Sequence, residues 1–305
     1  MDSIAPPAPV AFIGLGVMGA AMAANLAKAG FALTVASRTR AKATALEAGG
    51  ARWAGSAAEA ARGAASVGIC VPDTADVEAV LFGPEGVARG VAPGTVVVDF
   101  STISATAAAG FAARLAAESG AVLLDSPVSG GPQGARDGTL TCMVGGDAAA
   151  FARAEPVFRA VGKTLTHLGP AGSGQVCKSA NQLVVAATML AVAEALALGA
   201  KAGLDGNAMR AALLGGSARS FVMENHAARM LAGSFAPGFR AELMRKDLRL
   251  SAGAMRDHGV FAPATGLAAS VLEAVVGSGR GGLDSAAVGD LVRELSGLPP
   301  ARPAS

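Results

Sequence analysis

The feature that most constrains this chain is a glycine-rich turn after its first apolar run. Residues 10–13 read Val-Ala-Phe-Ile, and Gly14, Gly16 and Gly19 follow with the spacing Gly-x-Gly-x-x-Gly, after which an Ala-rich stretch runs to Ala29. In a strand that leaves such a turn as a helix, the glycines allow a tight turn, a close backbone approach and close helix-to-strand packing. The pattern therefore predicts a βαβ unit whose helix N-terminus binds a pyrophosphate.

The end of the second predicted strand, Ala32–Ala36, departs from the pattern that favours NAD. An acidic side chain usually binds the adenosine ribose here, but this chain reads Ser37-Arg38-Thr39. A guanidinium can bind a 2′-phosphate through paired hydrogen bonds, and no carboxylate repels that phosphate. We therefore expect NADP(H) to be preferred, with NAD(H) possible. The cofactor contacts expected from these two segments are Gly14, Leu15, Gly16, Val17, Met18, Gly19, Ser37, Arg38 and Thr39.

Short β-rich runs alternate with Ala-rich helical stretches up to about residue 168. This alternation is typical of parallel βαβ units in a doubly wound sheet. The sequence then predicts one long helix over 172–202 and only helical patterns beyond it. The predicted fold class is α/β, with a Rossmann-type doubly wound N-terminal domain (1–168) and a long interdomain helix that opens an all-helical C-terminal domain (169–305). The predicted strands are Pro9–Ile13, Ala32–Ala36, Ser66–Val71, Thr95–Asp99, Ala121–Leu124, Leu140–Val144 and Thr164–Leu168.

Composition excludes several classes of protein. Apolar residues make up 52% and charged residues 16% of the chain, a balance that excludes bulk disorder. A net charge of +2 without a basic run gives no case for nucleic acid or an anionic membrane as a partner. The three cysteines are widely spaced and Met1–Pro9 lacks a secretory pattern, so we expect reduced thiols and a cytoplasmic location. The chain has no tyrosine, which excludes a tyrosine-dependent reductase, and its three histidines lack the spacing of a metal site.

The predicted long helix carries the longest apolar run of the chain, Leu183–Ala200. This run has about the length of a membrane span, but it is rich in Ala, contains Glu194 and stands alone, so we interpret it as a buried helix. Its apolar surface exceeds what one small helical domain can cover. We therefore expect a homo-oligomer, either a dimer or a tetramer, in which partner helices bury the remainder.

Two later stretches are too polar and too rich in glycine for plain core. In residues 125–140, Ser129 and the amides around Gly130 and Gly131 can form a nest for a carboxylate. In residues 169–182, Lys178 and Asn181 stand three apart and so share one face of the predicted long helix. The sequence therefore offers a carboxylate clamp and a basic side chain beside a polar amide.

These motifs together resemble the β-hydroxyacid dehydrogenase family, which includes 3-hydroxyisobutyrate dehydrogenases and tartronate semialdehyde (2-hydroxy-3-oxopropionate) reductases. The resemblance covers about residues 9–296. Residues 12–19 are similar to the cofactor signature, 125–131 to the substrate segment, and 169–181 to the catalytic Gly-x-x-Gly-x-Gly-x-x-x-Lys-x-x-Asn. Lys246-Asp247-Leu248 is similar to the late Lys-Asp motif. One departure is Met244-Arg245, because relatives often carry His-Gln there.

The resemblance implies a role for residues in each motif. It implies that Lys178 is the catalytic lysine and that Asn181 is its neighbour in substrate binding. Further implied cofactor contacts are Val71, Pro72, Thr102 and Lys246. The implied substrate contacts are Ser129, Gly130 and Gly131 for the carboxylate, together with Asn181, Phe239, Lys246 and Asp247.

The implied activity is an NADP(H)-dependent oxidoreductase that interconverts a short β-hydroxyacid and its semialdehyde or keto acid, for example of the 2-hydroxy-3-oxopropionate or 3-hydroxyisobutyrate type. Lys178 suits the general acid/base, because an ammonium stabilises a developing oxyanion and delivers a proton. Two alternatives stay open, a catalytically silent dinucleotide-binding regulator and an imine reductase-like enzyme, although Lys178 argues against both. The sequence does not name the substrate or assign roles to His226 and Arg219.

Overall fold

The glycine-rich turn joins the first strand to the first helix of a nine-stranded sheet in a computed structural model, which describes residues 2–301. The strands in chain order are β1 (Pro9–Ile13), β2 (Ala32–Ala36), β3 (Arg52–Trp53), β4 (Ser66–Ile69), β5 (Val96–Asp99), β6 (Val122–Asp125), β7 (Val128–Ser129), β8 (Leu140–Gly145) and β9 (Gly162–Gly169). The helices are α1 (Val17–Lys28), α2 (Thr44–Ala48), α3 (Ala57–Ala61), α4 (Thr74–Phe82), α5 (Ala105–Ser119), α6 (Gly131–Asp137), α7 (Ala148–Val161), α8 (Ser173–Lys201), α9 (Gly206–Leu214), α10 (Ala227–Ala232), α11 (Ala241–Asp257), α12 (Pro263–Val275) and α13 (Val288–Leu295).

The sheet has the strand order of a dinucleotide-binding fold. Strands β3-β2-β1-β4-β5-β6 are parallel in that order, β8 runs antiparallel to β6 and β7, and β9 pairs parallel with β8. The strand order reverses between β1 and β4, and in such sheets ligands bind outside the carboxyl ends of the strands at this switch point. The register aligns Ile13 with both Ala36 and Ile69, so β1, β2 and β4 end together.

Two buried clusters cover the two faces of this sheet. Along β1, Val10 and Phe12 belong to one cluster and Ala11 and Ile13 to the other, because successive side chains of a strand point to opposite faces. Residues of α1 and α7 complete the first cluster, and residues of α3, α4 and α5 complete the second. Coverage on both faces explains why β4 and β5 are fully buried and mostly apolar.

A third buried cluster belongs to the helical part of the chain. Residues up to Lys178 form one compact unit and those from Ser179 onward form a second, so the boundary falls inside α8. The second unit is built on buried residues of α8, among them Met189 and Val192, with which residues of α10 to α13 pack. The division predicted at residue 168 stays a prediction.

The structure confirms the predicted fold class and differs from the sequence analysis in short elements. Strands β3 and β7 have two residues each, too few for a periodic pattern to show. Helix α6 lies directly after the amides that we expected to form a nest for a carboxylate, although Gly131, Pro132 and Gly134 are residues typical of turns. Pro132 stands at the helix start, where its missing N–H costs nothing.

The part of the chain in which we expected only helical patterns contains a π-helical turn, Val222–His226. Arg210 on α9 binds this turn from outside, because its Nε donates to the carbonyl of Met223 over 3.0 Å and its Nη2 donates to that of Glu224 over 2.5 Å. Wide turns of this kind leave main-chain carbonyls available to such donors, and they occur frequently at functional sites.

Within residues 2–301, α8 is one helix that is long and apolar enough to cross a membrane by length and composition alone. A single such helix is weak evidence for a membrane protein, because the core helix of a soluble protein passes the same test. Part of its apolar surface is covered within the chain and part is not, since Met189 is buried while Val184 and Leu198 are exposed.

Candidate functional site

A different structural feature accounts for the glycine at each of the three positions of the turn. Gly14 has a φ of +96°, and a Cβ there would overlap the carbonyl oxygen of Cys70 after β4. A Cβ on Gly19 would overlap the carbonyl oxygen of Gly14. At Gly16, which precedes α1, no atom other than those of Gly16 and its two chain neighbours lies within 4 Å of the place where a Cβ would stand. The outer two glycines are therefore needed for the turn itself, and the middle one leaves open space at the helix start.

This open space fits the pyrophosphate of a dinucleotide. No side chain caps the start of α1 at Gly16, so its N–H groups remain available to an anion. The first-turn side chain of Val17 is 73% exposed, whereas Leu15 is buried in the core. The predicted contacts Gly14 to Gly19 thus form one cradle at the carboxyl end of β1. Among residues 2–301, no group of three or more His, Cys, Asp or Glu side chains could hold a metal ion.

Hydrogen bonds join the loops that follow β4 and β5. The N–H of Val71 donates to Ser101 Oγ over 2.9 Å, and the N–H of Ser101 donates to Asp99 Oδ1 over 2.9 Å. These bonds hold Val71, beside Pro72, against the loop that contains Thr102. The structure therefore brings three predicted cofactor residues to the end of the sheet where β1 carries the glycine turn.

The segment Ser37-Arg38-Thr39 follows β2 at the same end of the sheet. The Arg38 side chain is 85% exposed, and its Nη1 lies 3.5 Å from Asp76 Oδ1. Exposed ion pairs of this kind contribute about 0–1 kcal/mol to stability. The guanidinium of Arg38 is therefore held only weakly and can bind an incoming anion.

Asp125, at the end of β6, caps the start of α8. Its Oδ1 accepts from the N–H of Gly172 over 2.7 Å, and its Oδ2 accepts from the N–H of Gln175 over 3.0 Å. Burial raises the pKa of this carboxyl group, and the N–H donors of Gly172 and Gln175 oppose that rise. A Cβ on Gly174 would overlap the carbonyl of Met143, so that glycine is required for the close approach. Part of the motif at 169–181 is therefore structural.

Gln175 links α8 to the loop after β5. Its Nε2 donates to the carbonyl of Ser101 over 2.9 Å, and its Oε1 accepts from the N–H of Ile103 over 3.1 Å. These two bonds span Thr102, so the main chain on both sides of that predicted cofactor contact is fixed by one buried side chain.

Lys178 lies one turn further along α8 and is only 7% exposed. Its Nζ donates to the carbonyl of Val128 on β7 over 2.8 Å. Ser129 is the next residue, and Gly130 (φ +132°) and Gly131 (φ +62°) then lead into α6. The structure therefore brings the candidate catalytic lysine to the segment that we expected to bind a carboxylate.

The remaining predicted residues belong to the second unit, and three of them are joined through Gln182. Asn181 Nδ2 donates to Gln182 Oε1 over 2.8 Å, and Gln182 Nε2 donates to Asp247 Oδ2 over 2.6 Å. Lys246 Nζ lies 3.2 Å from Asp247 Oδ1. Asp247 is almost fully buried, so its two oxygens connect α8 with the side chain of Lys246.

Phe239 lies in the loop before α11, which Asp284 organises. Asp284 Oδ2 accepts from the N–H groups of Gly238 and Phe239 over 2.9 and 3.1 Å and pairs with Arg229 at 2.8 Å. The Phe239 ring packs on the apolar core of the helical unit.

Two further groups to which the sequence gave no clear role are His226, which is half-buried, and Cys142, which is fully buried. Burial lowers the pKa of His226, with Asp284 raising it and Arg229 lowering it. Burial also raises the pKa of the Cys142 thiol to about 12, which makes this thiol a poor nucleophile. Arg219 is exposed and pairs with Glu224 at 2.8 Å.

Sequence reasoning missed Asp125, Gln175 and Gln182 as site residues. Each lies inside a stretch that the sequence analysis singled out, but only their partners reveal what they do. The sequence did contain one sign of these roles. Polar side chains are uncommon in buried segments, and those that occur there are usually hydrogen-bonded.

Known proteins resemble this chain over nearly its whole length. The fold and the glycine cradle define a dinucleotide-binding protein. Residues 9–169 match the family described as the NAD binding domain of 6-phosphogluconate dehydrogenase, and residues 172–292 match the family described as NAD-binding of NADP-dependent 3-hydroxyisobutyrate dehydrogenase. The chain belongs to the 3-hydroxyisobutyrate dehydrogenase, or β-hydroxyacid dehydrogenase, family and is an NAD(P)-dependent β-hydroxyacid dehydrogenase.

Individual relatives are similar over nearly their whole length. A 2-hydroxy-3-oxopropionate reductase of Escherichia coli is 42% identical over 91% of this chain and 94% of its own. An NAD-dependent L-serine dehydrogenase of Pseudomonas aeruginosa is 39% identical over 94% and 99%. The solved structure of Mycobacterium tuberculosis 3-hydroxyisobutyrate dehydrogenase with L-serine is 34% identical, with a TM-score of 0.86 over 94% of this chain and 99% of that one.

The different surroundings of the glycines predict different effects of an added methyl group. Gly19→Ala should lower the free energy of unfolding by roughly 1–3 kcal/mol, because its Cβ overlaps main chain. Gly16→Ala should keep the melting temperature but weaken NADPH binding by about tenfold or more, or about 1.4 kcal/mol, because its Cβ fills the open space. Thermal unfolding and NADPH fluorescence titration measure the two effects. Gly110→Ala, in open space on α5, serves as the control. Equal NADPH affinity in Gly16→Ala and wild type would contradict the cradle.

Proposed function

We propose that this protein interconverts a short β-hydroxyacid and its semialdehyde, with NADP(H) as the preferred cofactor and Lys178 as general acid/base. The observation that carries the proposal is the buried Nζ of Lys178, bound to the Val128 carbonyl next to Ser129 and the two glycines. A cation fixed beside an anion-binding turn suits a substrate that carries a carboxylate near a reactive carbonyl.

The substrate proposed is of the 2-hydroxy-3-oxopropionate or 3-hydroxyisobutyrate type. The relative with 42% identity is named for the first, and the solved structure with 34% identity is named for the second and contains L-serine. All three molecules carry a carboxylate two bonds from the carbon that bears the reacting oxygen. Ser129, Gly130 and Gly131 would bind that carboxylate, and Asn181, Phe239, Lys246 and Asp247 would contact the rest of the substrate.

When bound, the nicotinamide cofactor supplies or accepts the hydride. In reduction, the Lys178 ammonium stabilises the developing negative charge on the carbonyl oxygen and donates Nζ–H to it. In oxidation, a neutral Lys178 takes the hydroxyl proton at Nζ. The Val128 carbonyl holds Nζ in place in both directions, because it accepts one hydrogen bond whatever the protonation state. We therefore expect oxidation to have the more alkaline pH optimum.

Cofactor preference is assigned to Arg38. No carboxylate follows β2, so the adenosine ribose of NAD would lack its usual acceptor, whereas a 2′-phosphate would gain a guanidinium that is 85% exposed. Thr39 can add a hydroxyl contact. The existence of an NAD-dependent relative with 39% identity keeps NAD(H) as the alternative.

We also propose a cytoplasmic location. The three cysteines Cys70, Cys142 and Cys177 form no disulfide with one another, which suits a reducing compartment.

Replacing Lys178 by Ala should abolish most turnover. Removal of a general acid typically costs about 10²–10⁴ in rate, so Lys178→Ala should lose kcat while it keeps NADPH binding. The assay is NADPH oxidation with a panel of short carboxylated aldehydes, and Lys163→Ala, on the exposed part of β9, is the matched control. If Lys178→Ala keeps more than about a tenth of wild-type kcat, another residue is the acid.

Replacing Arg38 by Ala should act on NADPH alone. Hydrogen bonds between charged groups contribute about 1.5–3 kcal/mol, so the KM for NADPH should rise at least about tenfold and that for NADH should change little. Lys42→Ala, which removes an exposed cation nearby, controls for a general charge effect. A wild-type kcat/KM for NADH equal to or above that for NADPH would overturn the cofactor assignment and leave the family unchanged.

The exposed stripe of α8 predicts self-association as a homodimer or homotetramer. Val184, Ala191 and Leu198 are exposed and stand seven residues apart, so they lie on one face of the helix. Light scattering should show an oligomer, and the double variant Val184→Lys with Leu198→Lys should be smaller. Phe261→Lys, at a 91% exposed position outside α8, should keep the wild-type size. A stable wild-type monomer at micromolar concentration would refute this prediction.

A further inference from the structure

Gln182 is a buried side chain to which the proposed function assigns no role. It is 4% exposed on α8, and each end of its amide contacts a predicted site residue, Asn181 at one end and Asp247 at the other. The amide therefore connects a predicted substrate contact to the Asp247–Lys246 pair.

The direction of these hydrogen bonds is fixed by Asp247. A carboxylate paired with Lys246 can only accept hydrogen bonds, so Gln182 must turn its NH2 group toward it. The same nitrogen also lies 3.8 Å from Met244 Sδ, another acceptor. Both neighbours of Nε2 thus require the same orientation. Oε1 is then forced to the other side, where it can only accept.

The orientation of the Gln182 amide in turn fixes the orientation of the Asn181 amide. Because Gln182 Oε1 is an acceptor, Asn181 must turn its NH2 group toward it, as the 2.8 Å contact shows. The amide of an isolated asparagine has nearly the same shape in its two orientations, and only its hydrogen-bond partners decide between them. Asp247, through Gln182, removes that freedom and leaves Asn181 Oδ1 as the oxygen for a ligand.

We propose that Gln182 is a positioning residue that fixes the amide of Asn181 for substrate binding, through the polarity of the Asp247 carboxylate. This inference rests on the proposed function, in which Asn181 contacts the substrate. It gives Asp247 a second part beside its proposed contact with the substrate, because Asp247 also sets the direction of the two amides.

A packing role for Gln182 makes a different prediction from a positioning role. Ser251 offers the comparison, because its buried Oγ lies between the Ser179 carbonyl of α8, at 3.1 Å, and the Asp247 carbonyl of α11, at 2.9 Å, and shares its one proton between them. It contacts neither side-chain amide and no side-chain oxygen of Asp247. Ser251→Ala should therefore loosen the same helix pair without turning Asn181.

The test combines four variants in the full-length protein. Gln182→Met keeps the length of the side chain but removes both hydrogen bonds. Gln182→Glu places a second carboxylate against Asp247. The double variant Gln182→Glu with Asp247→Asn restores one donor and one acceptor at that contact and still offers Asn181 an acceptor, and Ser251→Ala is the control.

Kinetics with NADPH and 2-hydroxy-3-oxopropionate give the first readout. Gln182→Met should raise the KM for this aldehyde at least about fivefold, the loss expected for one hydrogen bond to a buried group, while kcat falls by a smaller factor. Gln182→Glu should raise KM further, and the double variant should bring it back toward wild type. An unchanged KM in Gln182→Met, the same rise in Ser251→Ala, or no rescue in the double variant would overturn the proposal.

A second readout needs no substrate. The chain has four asparagines, so selective 15N labelling of asparagine gives few side-chain NH2 signals, and Asn181→Asp identifies the one of interest. The Asn181 NH2 protons should exchange slowly with water in wild type, Ser251→Ala and the double variant, and faster in Gln182→Met. Fast exchange in wild type would overturn the positioning role. If the NH2 protons behave as expected but wild type reduces no carboxylated aldehyde, the proposed function fails and the orientation of Asn181 stands.

Discussion

A carboxylate buried at the end of β6 accepts hydrogen bonds from the main-chain N–H groups of Gly172 and Gln175, and this contact determines where α8 begins. Successive residues of a helix are rotated by about 100°, so a start one residue earlier or later would turn Lys178 away from the Val128 carbonyl. The same shift would remove Gln175 from the Ser101–Ile103 loop. The cofactor loop and the candidate acid thus depend on one capping interaction.

Much of the fold could be predicted from the sequence because its strands are parallel and covered on both faces. Such strands form continuous apolar runs, and the predicted bounds of β1 and β2 agree with the structure. The second half of the first unit was harder to predict. Helix α6 contains Gly131, Pro132 and Gly134, and its local sequence gives no helical preference that could be separated from a turn.

The candidate site could be predicted only where its residues are neighbours in sequence. Spacing within α8 placed Lys178 and Asn181 on one helical face, and the family resemblance singled out Lys246 and Asp247. The partners that hold these residues are distant in the chain: Asp125 lies 47 residues before Gly172, and Asp247 lies 65 residues after Gln182. A local pattern contains no information on such pairs, and a buried glutamine in it is indistinguishable from one that faces water.

The atoms that hold Lys178 and the start of α8 in place are mostly main-chain atoms. One acceptor for Nζ is the carbonyl of Val128, and the donors to Asp125 named above are N–H groups. Main-chain groups are unaffected by side-chain replacement, so the valine at 128 can change in evolution while the lysine keeps its position. Gly145 and Gly174 cannot be replaced in the same way. A Cβ on Gly145 would overlap the carboxylate of Asp125, and one on Gly174 would overlap the carbonyl oxygens of Met143 and Asp125. The side chain at position 128 is therefore free to vary without moving Lys178, as long as the two glycines are kept.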